Sequence, residues 1–311
     1  MNEDTSLGQT TQPRFLMCRP QHFAVTYSIN PWMDPTAWAE SGQALHATAA
    51  RQWAGLHRAL LGNGAIIEAI EPEPGLPDLV FTANAAVVLD GKALLARFRH
   101  PERQREQPVF AASFRALKAR GLIEQVLELP EGATLEGAGD CIWDRHRRHF
   151  WMGSGFRSDA AASQFIEDRF GVRCLTLALA DPSFYHLDTA FCALPCGSVI
   201  YYPAAFTQAS LELIHQHVGP AQRIALEPGD AARFAANAVC WDRVLVMSGC
   251  GDELRRELSG RGYTVVKTPL AAFLRSGGSA CCLTLRLDYR SSAVQVAAAR
   301  PARRLAAGKA R

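Results

Sequence analysis

Apolar positions along this chain alternate between two spacings, and the alternation repeats. Trp38, Leu45, Trp53, Leu56 and Leu60 recur at helical spacing, which predicts an amphipathic helix from Trp38 to Leu60. Ala65–Ile70 follows as a short β-branched strand. Val80 to Val88 reads as a second strand carrying the run Phe81-Thr-Ala-Asn84. Asp90-Gly91 is a favoured two-residue hairpin turn and predicts a return strand over Ala93–Phe98. The succession of helix, short strand, motif strand and return strand then recurs. Helices are predicted near 108–120, 160–170, 210–218 and 252–260, and short strands at 125–129, 173–177, 223–226 and 263–268. The motif strands carry Leu135-Glu-Gly-Ala-Gly-Asp140, His186-Leu-Asp188-Thr, Phe234-Ala-Ala-Asn237 and Gly277-Gly-Ser-Ala-Cys-Cys282, with returns at 149–152, 198–202 and 244–247.

The polar landmarks Asn84, Asp140, Asp188, Asn237 and Cys282 thus recur about every fifty residues, the signature of a repeat architecture. The fifth copy has no return strand of its own. Arg14–Arg19, the first apolar segment of the chain, could supply it and join the two ends into a ring with short, protected edges. An ordinary α/β sheet would give the same alternation, so periodicity alone leaves both arrangements open.

Composition narrows the class of protein. Of 311 residues, 48% are hydrophobic and 20% charged, which is globular usage. No apolar run reaches the roughly 20 residues of a membrane helix, and Met1–Pro13 lacks the order of a signal peptide. Nine cysteines without framework spacing imply free thiols in a reducing cytoplasm. The net charge of +3 is misleading. Residues 290–311 carry six basic and no acidic groups, which leaves 27 basic against 30 acidic residues elsewhere. The expected organisation is a flexible 1–13, one catalytic domain over 14–289, and a solvated basic tail over 290–311. Neither nucleic acid nor membrane is an expected partner; homo-oligomerisation is compatible with the sequence.

If the repeats surround an axis, their polar residues meet there, on segments otherwise made of Ala, Val, Phe and Leu. Buried polar groups must pair with one another or with a ligand. A thiol beside an imidazole is the minimum for nucleophilic cysteine catalysis. Carboxylates beside that thiol would raise its pKa, a poor choice unless the substrate is a cation. A planar guanidinium pairs bidentately with carboxylates and brings positive charge to sulfur.

These motifs, taken in order, resemble the active-site segments of the guanidine-modifying superfamily of arginine deiminases, dimethylargininases and arginine dihydrolases, from about Arg14 to Asp288. The resemblance implies a pseudo-symmetric five-bladed α/β propeller (the pentein fold), with no metal or organic cofactor. It casts Cys282 as nucleophile and His186 as general acid and base. Glu136 and Asp188 would hold guanidinium nitrogens, and Asn84 stands where deiminases have aspartate. Arg103 and Arg157 would hold a substrate α-carboxylate, with Asn30 at the α-amino end. Cys281 is the rival thiol, set one residue too early; alternation along a strand would turn it away from the axis. Asp140 and Asn237 read as structural hydrogen-bonding residues. His146 and His149 share a metal-compatible spacing, but Asp144–Arg148 reads as an exposed turn; Cys192 and Cys196 read as core.

The implied activity is cysteine-dependent hydrolysis of guanidinium C–N bonds in arginine or a close derivative. Because an amide both donates and accepts, Asn84 could retain a neutral ureido group for a second attack. Arginine dihydrolase therefore ranks first, ahead of deiminase or dimethylargininase, which stop at citrulline. An amidinotransferase using the same intermediate is a further alternative, and a non-catalytic arginine-binding protein is the competing class.

Overall fold

The computed structural model describes residues 12–292. In chain order the strands are β1 (Arg14–Cys18), β2 (Ile66–Ile70), β3 (Ala86–Leu89), β4 (Lys92–Leu95), β5 (Gln125–Leu127), β6 (Cys141–Asp144), β7 (His149–Ser154), β8 (Cys174–Ala178), β9 (Phe191–Ala193), β10 (Val199–Tyr201), β11 (Arg223–Ala225), β12 (Val239–Trp241), β13 (Val244–Met247), β14 (Thr264–Lys267) and β15 (Leu285–Arg286). They form five three-stranded sheets among the described residues, ordered β15-β1-β2, β3-β4-β5, β6-β7-β8, β9-β10-β11 and β12-β13-β14. In each, the central strand pairs antiparallel with one neighbour and parallel with the other.

This topology follows from the loops. Asp90 (φ 53°) and Gly91 (φ 72°) both occupy left-handed backbone, as a two-residue hairpin turn between β3 and β4 requires. A parallel neighbour needs a crossover, and in every sheet a helix supplies it: Pro35–Gly62, Gln107–Ala119, Ala162–Phe170, Gln208–His217 or Asp252–Gly260. Asp34 caps the first, its carboxylate accepting from Ala37 N at 2.9 Å, with Pro35 in the first turn. Buried apolar residues pack the sheets against these helices. Trp151, Phe191, Ile200, Leu245 and Leu258 belong to one cluster, and Phe15, Phe23, Trp38, Leu56 and Phe273 to another.

Two expectations are corrected. The repeat has a different phase: each helix and its short strand complete the sheet begun by the preceding motif, so β2 pairs with β1 and not with the Val80–Val88 segment. The motifs themselves are not strands. Thr82–Ala85 and Gly137–Gly139 are 3-10 turns, Leu187–Ala190 is a single α-turn, and Phe234–Ala236 and Ala280–Leu283 are also turns, each leading into the first strand of its sheet. The predicted pairing of chain ends holds. Phe15 faces Arg286 and Leu16 faces Leu285 across an antiparallel β1–β15 ladder. Most of the 290–311 segment lies outside the described residues. No described helix is long and apolar enough to cross a membrane.

The 145–148 segment is a turn as expected, but its base is not exposed. Asp144 is fully buried and accepts from Arg147 Nη1 (2.8 Å) and Trp151 Nε1 (3.0 Å). Beside it His149 is buried edge-on to Trp151, its Nε2 without a partner among the described residues. Burial lowers the His149 pKa to about 4. Cys196, expected in the core, is exposed. An unfolded histidine titrates near 6.5, so the neutral His149 contributes fully above that pH and loses its contribution as pH falls toward 4. The stability of wild type relative to His149→Gln should therefore drop by at most about 1.4 kcal/mol per pH unit between 6.5 and 4. Paired denaturant titrations at pH 4.5, 5.5 and 7.5 measure this; a pH-independent difference would contradict it.

Candidate active site

The five motif turns are tied to one another by a sequence of hydrogen bonds. Asn84 Nδ2 donates to Glu136 O (3.1 Å), joining the first turn to the second. Leu187 N donates to Asp140 Oδ1 (2.9 Å), joining the third to the second. Asn237 Nδ2 donates to Asp188 O (3.1 Å), and Cys282 N donates to Asn237 Oδ1 (3.2 Å), linking third, fourth and fifth. Ala83 N donates to Cys282 O (3.1 Å), which returns to the first turn. Asn84, Asp140 and Asn237 each bond the backbone of a neighbouring turn, and Asp188 bonds the Cys282 thiol.

Glycines permit this approach. A Cβ at Gly137 (φ 63°) would sit 2.7 Å from Ala83 O, and one at Gly139 would sit 2.3 Å from Asn84 Nδ2. The Glu-Gly-Ala-Gly-Asp run is thus a steric requirement of the neighbouring turn.

Around the turns lies a small cavity lined by Asn30, Asp78, Asn84, Arg103, Arg157, Tyr185, His186, Ser276 and Cys282 with Ile29, Phe81 and Gly278. With a volume of about 10 Å³ it has room for about one water, far below the roughly 300–1,000 Å³ typical of small-molecule sites. Seven of the eight expected site residues are buried, and Asn30 is half-buried. Six of the eight line the cavity; Glu136 and Asp188 are bonded directly to members of its wall.

At one end, Cys282 Sγ donates to Asp188 Oδ2 (3.2 Å) and receives Asn237 Nδ2 (3.0 Å). The other oxygen, Asp188 Oδ1, is buried with no partner among the described residues. Burial lifts the Asp188 carboxyl to about 7, against the pull of the Cys282 and Asn237 hydrogen bonds. Burial, then the nearby Asp188 charge, pushes the Cys282 thiol well above its ordinary range. The resting thiol therefore keeps its proton, and a cation entering here would relieve both shifts.

Across the cavity His186 Nε2 lies 2.8 Å from Glu136 Oε2, and Arg157 Nη1 donates to the same oxygen at 2.9 Å. An ionised carboxylate only accepts, so Nε2 carries a proton and Nδ1 is the ring nitrogen available for exchange. Burial alone would raise the Glu136 pKa, but Arg157 and His186 hold it well below the carboxylate range. Arg157 also stacks on Tyr185, its guanidinium carbon 4.5 Å from the ring centroid. Glu136, expected to grip substrate, is thus committed first to orienting His186 and Arg157.

At the far end, Arg103 has four of its five N–H groups engaged by Glu106, Asn84 Oδ1 and Asp78 O. Asn30 accepts from Trp32 N and donates to Ser276 O. Asp78 went unremarked in the sequence, although it stands three residues before Phe81. Tyr27 and Ser276 hydroxyls donate to it at 2.7 and 3.2 Å, and burial raises its pKa. Its signal was a carboxylate within an otherwise apolar run, Gly75-Leu-Pro-Asp78-Leu-Val. Asn237 was read as structural only, yet it also touches the nucleophile candidate. Asp140 behaves as expected, accepting from Ser158 Oγ (2.6 Å) and Leu187 N.

Cys281 and Cys282 lie in a turn, not a strand, so alternation does not apply. What distinguishes them is the wall: Cys282 lines the cavity and Cys281 is not among its lining residues.

With this geometry in view, comparison with known proteins is informative. Residues 19–288 match the family model described as N,N dimethylarginine dimethylhydrolase, eukaryotic. The chain belongs to the dimethylarginine dimethylaminohydrolase family. A family relative, N(G),N(G)-dimethylarginine dimethylaminohydrolase of Mycobacterium tuberculosis, is 35% identical over 88% of this chain and 85% of its own. The bifunctional arginine dihydrolase/ornithine cyclodeaminase AgrE of a Nostoc species is 43% identical over 89% of this chain. The match covers 38% of AgrE, so the chain spans well under half the length of that relative. The crystal structure of the N-terminal domain of ArgZ, an arginine dihydrolase from the cyanobacterial ornithine–ammonia cycle, bound to substrate as a cysteine-to-serine mutant, superposes with a TM-score of 0.84. It is 39% identical over 90% of this chain and all of its own.

Two outcomes follow from the site geometry. Gly139→Ala should drive its Cβ into the Asn84 amide, cost about 1–3 kcal/mol of stability and reduce enzymatic activity at least about a hundredfold. Thermal melts and steady-state assays test this, and wild-type values in both would contradict the packing argument. Alkylation of Cys282 by iodoacetamide, measured against Cys282→Ser to subtract other thiols, should be slow at pH 7 and rise with pH to beyond 8.5, the ordinary cysteine value. A fast, flat rate from pH 6 to 8 would mean that the resting group is already a thiolate.

Proposed function

We propose that this chain is a cysteine-dependent arginine dihydrolase, with Cys282 as nucleophile and His186 as general acid and base. One observation carries the reading: Cys282 Sγ is held against Asp188, whose second oxygen is buried with no hydrogen-bond partner among the described residues. A buried acceptor without a donor is costly, and a guanidinium N–H is the donor that geometry and charge both favour. The similarity to arginine dihydrolases supports the same substrate class.

In this mechanism the substrate guanidinium lowers the pKa of Cys282, and the thiolate attacks the guanidinium carbon, forming a C–S bond. His186 protonates a terminal nitrogen, the C–N bond breaks, and ammonia leaves an S-alkylthiouronium. Water then loses a proton to His186 and attacks the same carbon; the C–S bond breaks and citrulline forms. A second attack, now at the ureido carbon, expels the second ammonia. Hydrolysis of that thioester gives an N-carboxy amine, which loses carbon dioxide to leave ornithine. One arginine and two waters thus yield ornithine, carbon dioxide and two ammonia.

The second round needs a donor for the ureido oxygen, and Asn84 supplies one where aspartate could not. Arg157, the remaining N–H of Arg103, and Asp78 with Asn30 would hold the α-carboxylate and α-ammonium groups. We further propose that residues 14–289 form one domain in which the five sheets close into a five-bladed propeller. The return of hydrogen bonds from Cys282 to Ala83 and the β1–β15 pairing support closure.

Dimethylargininase is the second reading, favoured by the matching family model and the mycobacterial relative. Incubation with arginine, asymmetric dimethylarginine and citrulline, with products identified by mass spectrometry, separates the two. Ornithine from arginine and from citrulline is the expected result; citrulline with dimethylamine as the only products would replace it with the second reading. Cys282→Ser should lower activity by at least about 10⁴-fold, as loss of a nucleophile does, while Cys281→Ser keeps most of it. The reverse pattern would overturn the choice of thiol.

A further inference from the structure

Asn84 sits in a network that leaves its amide only one orientation. Arg103 has donors alone, so the atom 2.8 Å from its Nη1 must be the Asn84 oxygen. The Glu136 carbonyl accepts alone, so the atom 3.1 Å from it must be the Asn84 nitrogen. Both neighbours therefore demand an amide, turned the same way. A carboxylate here would keep the Arg103 contact but set a lone pair against a carbonyl oxygen. The fixed orientation leaves the second N–H of Nδ2 as the donor this side chain can offer a ligand.

Arg103 is itself held from behind. Glu106 accepts from Arg103 Nε at 3.0 Å and from Nη2 at 2.7 Å, a bidentate fork in which both partners are buried. The Phe98 ring covers one guanidinium face, 4.4 Å from its carbon. Glu106 does not line the cavity. Burial would favour the neutral acid, but the arginine opposes this, and the carboxyl lies at about 7.

We propose that Glu106 is a specificity-determining positioning residue: through its bidentate pair with Arg103 it fixes the Asn84 amide with nitrogen toward the site. The dependence of ureido hydrolysis on Glu106 rests on the dihydrolase reading; the orientation itself does not. Glu106 touches no substrate. A guanidinium, rich in donors and held by carboxylates, needs little from Asn84 in the first step. The ureido oxygen of the second step needs a correctly turned donor, so loosening Arg103 weighs on that step.

The test compares the full-length wild type with Glu106→Gln and Glu106→Asp on arginine and, separately, citrulline. In Glu106→Gln, kcat/KM for citrulline should fall about a hundredfold, the scale of losing one aimed donor. That for arginine should fall by less than about tenfold, so citrulline accumulates. Glu106→Asp, which keeps the charge, should recover part of the citrulline activity. Equal losses on both substrates would overturn the proposal, because a residue needed only for folding or for gripping the amino-acid end affects both alike. A wild type that makes no ornithine refutes the dihydrolase reading instead. The crystal structure of whichever Glu106 variant folds then decides the positioning claim. Arg103 withdrawn from Asn84, with the amide turned or shifted, supports it, and an unmoved Arg103–Asn84–Glu136 chain overturns it.

Discussion

Everything in this molecule that bears on chemistry depends on five short turns hydrogen-bonding to one another. Each turn enters the first strand of a different sheet, and each spends a polar side chain or a backbone group on its neighbour. A turn buried among apolar residues would otherwise leave backbone donors and acceptors unpaired, at about 1–3 kcal/mol apiece. The requirement to satisfy them explains why Asn, Asp and Gly recur where the strands are otherwise Ala, Val and Phe. It also explains how groups from residues 84, 136, 186, 237 and 282, remote in sequence, are held side by side. Function and fold use the same bonds here. Asn237 orients the Cys282 amide and thiol while closing the fourth turn on the third.

The second constraint is charge. Asp78, Glu106, Glu136, Asp140 and Asp188 are buried around one small cavity with Arg103 and Arg157. Two guanidinium groups cannot neutralise five carboxylates. The arginines go to Glu136 and Glu106; burial still raises Glu106 to about 7, and it raises the three carboxyls without a direct cation, Asp78, Asp140 to about 6 and Asp188 to about 7. Such a cavity is set for a ligand that carries positive charge at both ends. An amino acid with a cationic side chain meets that description, whereas an anionic ligand would deepen the mismatch.

The repeat was legible in the sequence because helices over sheets demand periodic burial. The helix Asp252–Gly260 and the strand Val244–Met247 fall where apolar spacing puts them, and the β1–β15 pairing was readable from a missing partner. The phase of the repeat was not legible. A parallel strand after a helix pairs with whatever lies two segments earlier, and linear order does not record that. The turns read as strand in the sequence because Phe81-Thr-Ala-Asn84-Ala-Ala-Val-Val is as apolar as a buried strand; the close approach of Gly137 and Gly139, which accommodates the 82–85 turn, joins segments fifty residues apart. Cys282, His186, Glu136, Asp188 and Asn84 stood out as polar residues in apolar company. Glu106 did not, since a glutamate in the Arg-rich stretch 103–106 looks like any exposed helix end.

That disguise points to how the two ends of the cavity are coupled. Arg103 reaches Asn84 with one nitrogen, while its other nitrogens are braced by Glu106 and by the backbone carbonyl of Asp78, which also lines the cavity. A ligand whose carboxylate draws on the one remaining N–H of Arg103 therefore pulls on the same group that turns Asn84. Glu106 limits that movement, because a bidentate pair resists rotation about the guanidinium axis where a single hydrogen bond would not. Lysine at 103 could carry the charge but not the geometry, since an ammonium has no plane to lock. One rigid, planar side chain thus joins the Asn84 amide to the backbone of Asp78.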